Sequence, residues 1–368
     1  MFSFNKKSFK RFDFILLISV ILLTLLGLLL VKSATINTGS NDLVKSQTMA
    51  MVLGLIMVLV LSLIDYHFLG KLYIPIYIVC NLILIVVAIW GFGEDEWGAR
   101  SWLEIGPVIF QPSEFVKVGI IISLAKFIDN HKESINEPFT LLKILLFVSP
   151  PILLILKQPD AGTAIVIVFF IALMMFTAGL RPRYIGYAVF CALAALPVLW
   201  FKLDNYQKNR FFDFLEPERN MAGSGYQVVQ SKIAIGSGKI FGRGLFKGVQ
   251  TQLNFIPEKQ TDFIFPVLVE ELGFLGGMAL ILLYFVFLHR LVKIARNTED
   301  VFGSTMVVGI TGMFLFHIWE NLAMTMGMMP VTGIPLPFIS HGGTFLVINM
   351  ICIGIVLSVG MHREGLNF

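Results

Sequence analysis

The stretch Phe255-Ile-Pro-Glu-Lys-Gln-Thr-Asp-Phe-Ile-Phe-Pro-Val-Leu-Val-Glu-Glu-Leu-Gly-Phe-Leu-Gly-Gly277 decides how this chain is read. A polar turn, Pro257 to Asp262, runs straight into a long apolar segment. Asp262 stands at the junction, with Glu270 and Glu271 about two helical turns further in. An ionisable side chain at or inside an apolar span is costly, so it marks either a functional site or a paired structural one. Two readings of Asp262 stay open at this point. It caps the helix that follows, since Asp favours helix N-termini, or it is a working carboxylate.

Working outward, the composition is that of a membrane protein. The chain has 368 residues, 56% of them hydrophobic and only 14% charged, against about 25% charged in soluble domains. Its mean hydropathy is +0.81. The apolar segments approach the length of roughly 20 residues that crosses a bilayer as helix. Alternating strands of about ten residues, the mark of a membrane barrel, are absent. The expected fold is an all-α polytopic membrane protein forming one domain over residues 1–368. Ten spans are expected, at about 13–31, 48–65, 72–92, 112–128, 139–156, 163–180, 184–202, 263–288, 303–326 and 344–361. Pro150-Pro151 should break or kink the fifth.

Short-loop charges orient the chain. Lys6, Lys7, Lys10, Arg11, Lys71, Lys126, Lys132, Arg181, Arg183, Arg290, Lys293, Arg296 and Arg363 fall on one side of a ten-span chain; Lys32, Lys45, Arg100 and Lys157 fall on the other. Both termini are therefore expected in the cytoplasm. The first apolar run is too long for a signal-peptide core and should remain as a membrane helix. Cys80, Cys191 and Cys352 lie within apolar spans without CxxC spacing, so no disulfide framework or zinc site is suggested.

The connection between spans seven and eight, residues 203–262, is far longer than the rest and is expected outside the cell. Gly225 to Ile235 places apolar residues at helical spacing, which suggests a surface amphipathic helix. From Lys202 to Lys259 the segment holds nine Lys or Arg. It reads either as a solvated loop near headgroups or as a basic surface for an anionic substrate.

In this topology the unusual polar residues collect at the outer ends of the spans. Gln111-Pro-Ser-Glu-Phe-Val-Lys opens span four, and its Glu114 and Lys117 share a helix face and can pair. Gln158-Pro-Asp-Ala-Gly-Thr opens span six with Asp160 placed as an N-cap. Pro330 to Gly343 precedes span ten, and its Ser340-His341-Gly-Gly turn could present free N–H groups to an anion. His317, Glu320 and Asn321 share a face of span nine and read as a buried hydrogen-bond cluster. HExxH, GxSxG, Walker and GxGxxG motifs are absent. What emerges is an outward cavity lined by carboxylates and cations.

GARSW (98–102), QPSEFVK (111–117), QPDAGT (158–163), GYQVVQSKIAIGSG (225–238), FIPEKQTDFIFPVLVEELG (255–273) and PVTGIPLPFISHGG (330–343), in that order, resemble the SEDS family of shape, elongation, division and sporulation proteins. The resemblance spans nearly the whole chain, and the wording of residues 251–262 is closest to the rod-shape branch. Two departures stand out: Ser101 holds a place where the family often has Arg, and His341 replaces a common Tyr. The resemblance implies a peptidoglycan glycosyltransferase of the bacterial cytoplasmic membrane that polymerises lipid II on its outer face. It implies a class B penicillin-binding protein as partner, lipid II and undecaprenyl-linked glycan as substrates, contact with membrane lipids, and no nucleic acid. Asp262 would be the general base, with inversion at the anomeric carbon and Glu114, Lys117 and Asp160 in support. Arg100, Arg210, Arg243, Lys259, Ser340 and His341 are the candidates for holding the pyrophosphate. No cofactor is required by the sequence; the resemblance allows a divalent cation, Mg or Mn, to share the task of holding the pyrophosphate, with no dedicated ligand set in the sequence. The rival functions are a lipid-linked precursor flippase, which needs polar groups through the full bilayer depth, and a non-catalytic scaffold, which gives Asp262 no task.

Overall fold

The computed structural model describes residues 11–38, 41–93, 100–105, 108–202, 205–219 and 223–362. A helix occupies each expected span. The first seven are α1 (Phe14–Thr35), α2 (Asn41–Leu63), α3 (Tyr73–Trp90), α4 (Pro112–Asn130), α5 (Pro138–Lys157), α6 (Ala161–Thr177) and α7 (Pro182–Lys202). The long connection then folds into α8 (Asn205–Leu215) and α9 (Ser224–Ser237), the latter where the 225–235 pattern placed it. The chain ends with α10 (Ile264–Arg296), α11 (Val301–Thr325) and α12 (Gly343–His362). Seven of these, α1, α2, α3, α5, α10, α11 and α12, are long and apolar enough to cross a membrane, and α6 is apolar but shorter. The chain is a mostly helical, multi-pass membrane protein.

The burial pattern is that of a bundle in lipid. Leu22, Leu29, Ile56, Ile78, Leu145 and Phe285 point outward, which water would penalise and hydrocarbon does not. Most of α11 and α12 is buried. They form the centre, with Phe287 of α10, Phe314 of α11 and Phe338 packed as a mutual aromatic cluster.

Three features depart from the expectation. Pro150 and Pro151 do not break α5, which runs through both as helix; in a bundle, neighbouring helices tolerate the lost bonds. A small antiparallel hairpin, β1 (Leu103–Ile105) with β2 (Val108–Phe110), leads into α4, and Trp97, Gly98 and Ala99 of the motif before it lie outside the described residues.

The break that does occur lies in α10, at Gly273 (φ 71, ψ −169). A chain segment fills it. Arg243 and Gly244 donate their N–H groups to the carbonyls of Glu270 and Glu271 at 3.0 and 2.9 Å, and Phe274 and Leu275 donate theirs to Lys239 and Ile240 at 2.8 and 3.2 Å. Backbone groups freed inside a membrane must find partners, and residues 239–244 supply them. The approach requires glycine on both sides. A Cβ on Gly273 would lie 2.3 Å from the nitrogen of Gly242, and one on Gly242 (φ +79) would lie 2.1 Å from the carbonyl oxygen of Glu271.

Glu270 and Glu271 fasten the same loop. Glu270 accepts from the N–H groups of Gln250 and Thr251 at 2.8 and 3.0 Å and from the Thr251 hydroxyl at 2.7 Å. Glu271 accepts from Ser33 of α1 and from Gln252. These two buried carboxylates are structural anchors, and Asp262 is carried at the end of the loop they hold.

Candidate active site

The reading of Asp262 as a helix cap fails on the geometry. The N-cap of α10 is Phe263, and no side chain caps that helix. Instead, the backbone around Asp262 is tied down by other elements. Asn321 of α11 donates to the Asp262 carbonyl at 2.9 Å and to the Ile334 carbonyl at 2.8 Å. The Ser340 hydroxyl donates to the carbonyl of Thr261 at 2.6 Å, and the His341 N–H donates to that of Gln260 at 2.8 Å. The carboxylate itself is half-buried and accepts no hydrogen bond from the described residues. Its Oδ2 lies 3.4 Å from where a Cβ on Gly333 (φ +78) would be.

The strap from Val331 to Ile334 is the hub. Arg210 of α8 donates Nη1 to the Thr332 carbonyl at 3.2 Å, one residue from Gly333. Across the strap, Gly162 at the start of α6 abuts Thr332 and Ile334. Asp160 caps α6 as expected, accepting from the Thr163 N–H at 3.0 Å, and also takes the Thr163 hydroxyl at 2.8 Å and the Gln111 amide at 3.1 Å. Glu320 of α11 reaches Thr332 and lies within electrostatic range of Lys117 and Asp160. Its Oε2 is buried without a partner among the described residues. The sequence reading left Thr332, Gly333 and Gln111 without roles and gave Asn321 a purely structural one; a buried amide inside an apolar span was the available signal.

Deeper in the bundle the expected pair forms. Lys117 Nζ lies 2.8 Å from Glu114 Oε1, and a third member, His317, joins at 2.9 Å through Nε2.

The environment of Asp262 sets its chemistry. Loss of hydration pushes its carboxyl up to about 7, the nearby Glu258 adds to the shift, and Arg210 opposes it. A carboxyl poised there can take a proton near neutral pH, as a general base must.

Five of the six proposed anion-binding residues are placed differently from expectation. Lys259 is buried, and its ammonium donates to the Thr251 carbonyl at 2.5 Å and to Asn254 Oδ1 at 2.6 Å. Burial holds its pKa below the ordinary value, against the pull of Glu270 and Glu271. It fastens the loop. Ser340 and His341 do not form an open cradle: the Ser340 hydroxyl and the His341 backbone N–H hold residues 261 and 260, the His341 ring bonds the backbone of Leu43 with its Nε2 buried without a partner among the described residues, and the Gly342 N–H is taken by Gln47 at 3.1 Å. They position Asp262. Arg243 is exposed on the segment that plugs α10, with Nε donating to Ser237 at 3.2 Å. Arg100 is exposed before the hairpin. Of the six, only Arg210 is brought to Asp262. Among the described residues no group of three or more His, Cys, Asp or Glu side chains is placed to hold a metal ion.

The profile of the FtsW/RodA/SpoVE family, described as cell cycle proteins, matches residues 13–365. The chain belongs to this family. Among its relatives, the peptidoglycan glycosyltransferase MrdB of Escherichia coli is 37% identical over 99% of this chain and 98% of the relative. The stage V sporulation protein E of Bacillus subtilis is 35% identical over 96% and 98%. Among solved structures, one described as a peptidoglycan synthase complex that coordinates polymerisation and crosslinking superposes with a TM-score of 0.82 at 29% identity, covering 96% of this chain and 99% of that one. The rod-shape-determining protein RodA of Thermus thermophilus superposes with a TM-score of 0.73 at 29% identity, over 96% and 98%.

Proposed function

We propose that the chain is a peptidoglycan glycosyltransferase that polymerises lipid II on the outer face of the cytoplasmic membrane, with Asp262 as its general base. The observation that carries this reading is a half-buried carboxyl, poised near 7 and accepting no hydrogen bond from the described residues, on a backbone clamped by Asn321, Ser340 and His341. An alcohol is a poor nucleophile at neutral pH, so the sugar 4-hydroxyl of one lipid-linked substrate needs a positioned base. Asp262 removes that proton as the oxygen attacks the anomeric carbon of the second substrate. The bond to the lipid pyrophosphate breaks on the opposite face, so the configuration inverts and no covalent enzyme intermediate forms. The pyrophosphate leaves with growing negative charge, which a nearby cation stabilises; we assign that task to Arg210, whose charge acts on Asp262. A divalent cation would arrive with the pyrophosphate.

In this reading the chain crosses the membrane ten times, with α4, α6 and α7 among the spans, both termini in the cytoplasm and the 203–262 loop outside. A class B penicillin-binding protein would take the nascent strand for crosslinking. The polar side chains around the strap belong to one end of the bundle, which supports an enzyme over a flippase. The test is purified protein in detergent with lipid II, alone and with such a partner. Glycan chains are expected; lipid transport in vesicles without glycan would establish the flippase, and neither activity the scaffold.

A further inference from the structure

At the end of the bundle where α1 begins and α12 ends, a cleft of about 250 Å³ is lined by Arg11, Phe12, Asp13, Arg290, Lys293, Ile294, Asn297 and Gly360. It lies where α1 begins and where α10 and α12 end, far along the chain from Asp262 and used by none of the chemistry above. Among the described residues that line it, three basic side chains, Arg11, Arg290 and Lys293, accompany one carboxylate, Asp13. That carboxylate is already committed. Asp13 caps α1 by accepting from the Leu16 N–H at 2.9 Å, and it takes Arg290 through Nε at 3.1 and 3.0 Å and through Nη2 at 2.6 Å. The bidentate pair fixes the guanidinium, and Nη1 makes no bond among the described residues. Lys293, exposed on the same helix, forms no ion pair among the described residues. Asn297 adds an amide. Beside these polar groups stand apolar ones: Phe12 in the cleft wall and the outward-facing Phe14 and Ile15, each about half exposed at 52% and 51%.

We propose that this cleft binds the phosphate of an anionic phospholipid at headgroup level. The cations answer the phosphodiester charge, with the fixed Arg290 fork as the oriented donor. The apolar residues on the bilayer side answer the acyl chains. Basic pockets between membrane helices suit such headgroups, and the position is at the ends of three helices that are each long and apolar enough to span. The occupant ties α1, α10 and α12 together at the end opposite the strap. Free phosphate shares the headgroup charge but lacks the chains, so it should bind far more weakly.

The test uses the full-length protein in neutral maltoside detergent and native mass spectrometry, with dioleoyl phosphatidylglycerol as probe and dioleoyl phosphatidylcholine and inorganic phosphate as comparators. Wild-type protein is expected to retain phosphatidylglycerol in preference to phosphatidylcholine. Each basic residue near a headgroup contributes about fivefold, so Arg11→Gln with Lys293→Gln should weaken retention roughly thirtyfold. Both substitutions leave the Asp13–Arg290 pair intact. Lys293→Glu, a single change at an exposed side chain, gives a second reading should the double variant fold poorly, and it too should lose the preference. Equal phosphatidylglycerol retention by wild type and Lys293→Glu would overturn the proposal. So would displacement of the lipid by inorganic phosphate at comparable concentration, which would show a soluble-anion site instead.

Discussion

The ammonium of Lys117 on α4 lies 2.9 Å from Nε2 of His317 on α11, a partner 200 residues away in sequence. A lysine ammonium only donates, so Nε2 accepts and the ring proton sits on Nδ1, which is buried without a partner among the described residues. The cation is therefore held by Glu114 on its own helix and by His317 on the helix that carries Glu320 and Asn321.

Breaking that trio from one side leaves a buried charge uncompensated, at a cost of about 3–5 kcal/mol. Lys117→Met and Glu114→Gln should each lower the thermal unfolding temperature in detergent, and the Glu114→Met/Lys117→Met pair should lose less than the two single changes combined. His317→Gln, which keeps an acceptor, should be milder than His317→Leu. Additive losses for Glu114 and Lys117 would show that the two side chains do not interact.

Asp262→Asn separates chemistry from architecture. The backbone bonds to Asn321, Ser340 and His341 do not involve the side chain, so the variant should fold and bind its partner normally. An amide has no useful basicity, so polymerisation should fall about 10²–10⁴-fold. Asp262→Glu should also be poor, because a shift of about an ångström spoils a catalytic geometry. Wild-type polymerisation by folded Asp262→Asn would remove this residue from the mechanism.

The pH profile follows from the raised carboxyl. A base works only when ionised, so with a pKa of about 7 the rate should fall about tenfold per unit as the pH drops below that value, and level off above it. Arg210 favours the ionised form, so Arg210→Gln should move this limb to higher pH. A rate independent of pH from 5 to 8 would contradict the assignment.

The glycine at the break of α10 should be intolerant. Gly273→Ala adds a Cβ at a positive φ, 2.3 Å from the nitrogen of Gly242, and should cost more than about 1 kcal/mol. The expected signature is earlier proteolysis within residues 239–247 and reduced polymerisation, with α11 and α12 still folded. Limited proteolysis followed by mass spectrometry reads it directly.

Orientation can be read with an impermeant thiol reagent on intact cells. Cys191 is exposed and should first be changed to Ser; Cys80 and Cys352 are buried. Asn209→Cys in the long loop should then label from outside, and Asn297→Cys should not. The reverse pattern would invert the topology.

The long-range ties at this site could not be read from local pattern. Asp160 was legible as a cap because capping is a contact within three residues, and Glu114 with Lys117 was legible because three residues on a helix share a face. His317 was not, since nothing local ties α11 to α4. Lys259, Ser340 and His341 had the composition of anion-binding residues, yet the Lys259 ammonium bonds Thr251 and Asn254, the Ser340 hydroxyl bonds Thr261 and the His341 backbone N–H bonds Gln260. Whether a donor is available depends on what the fold brings to it. The Pro150-Pro151 pair suggested a break or kink in α5, which runs through both as helix, and the break at Gly273 was one glycine among many.

Sequence by itself determined that this is a helical membrane bundle with a carboxylate at a span's entrance. Hydrophobic length and short-range spacing are local properties that the bilayer reads directly. Tertiary structure alone decided that Asp262 is not a cap, that its backbone is held from α11 and the last motif, and that Arg210 is the cation beside it. Those outcomes depend on burial and on contacts between distant segments, which also raise the Asp262 carboxyl to the pH at which it can work as a base.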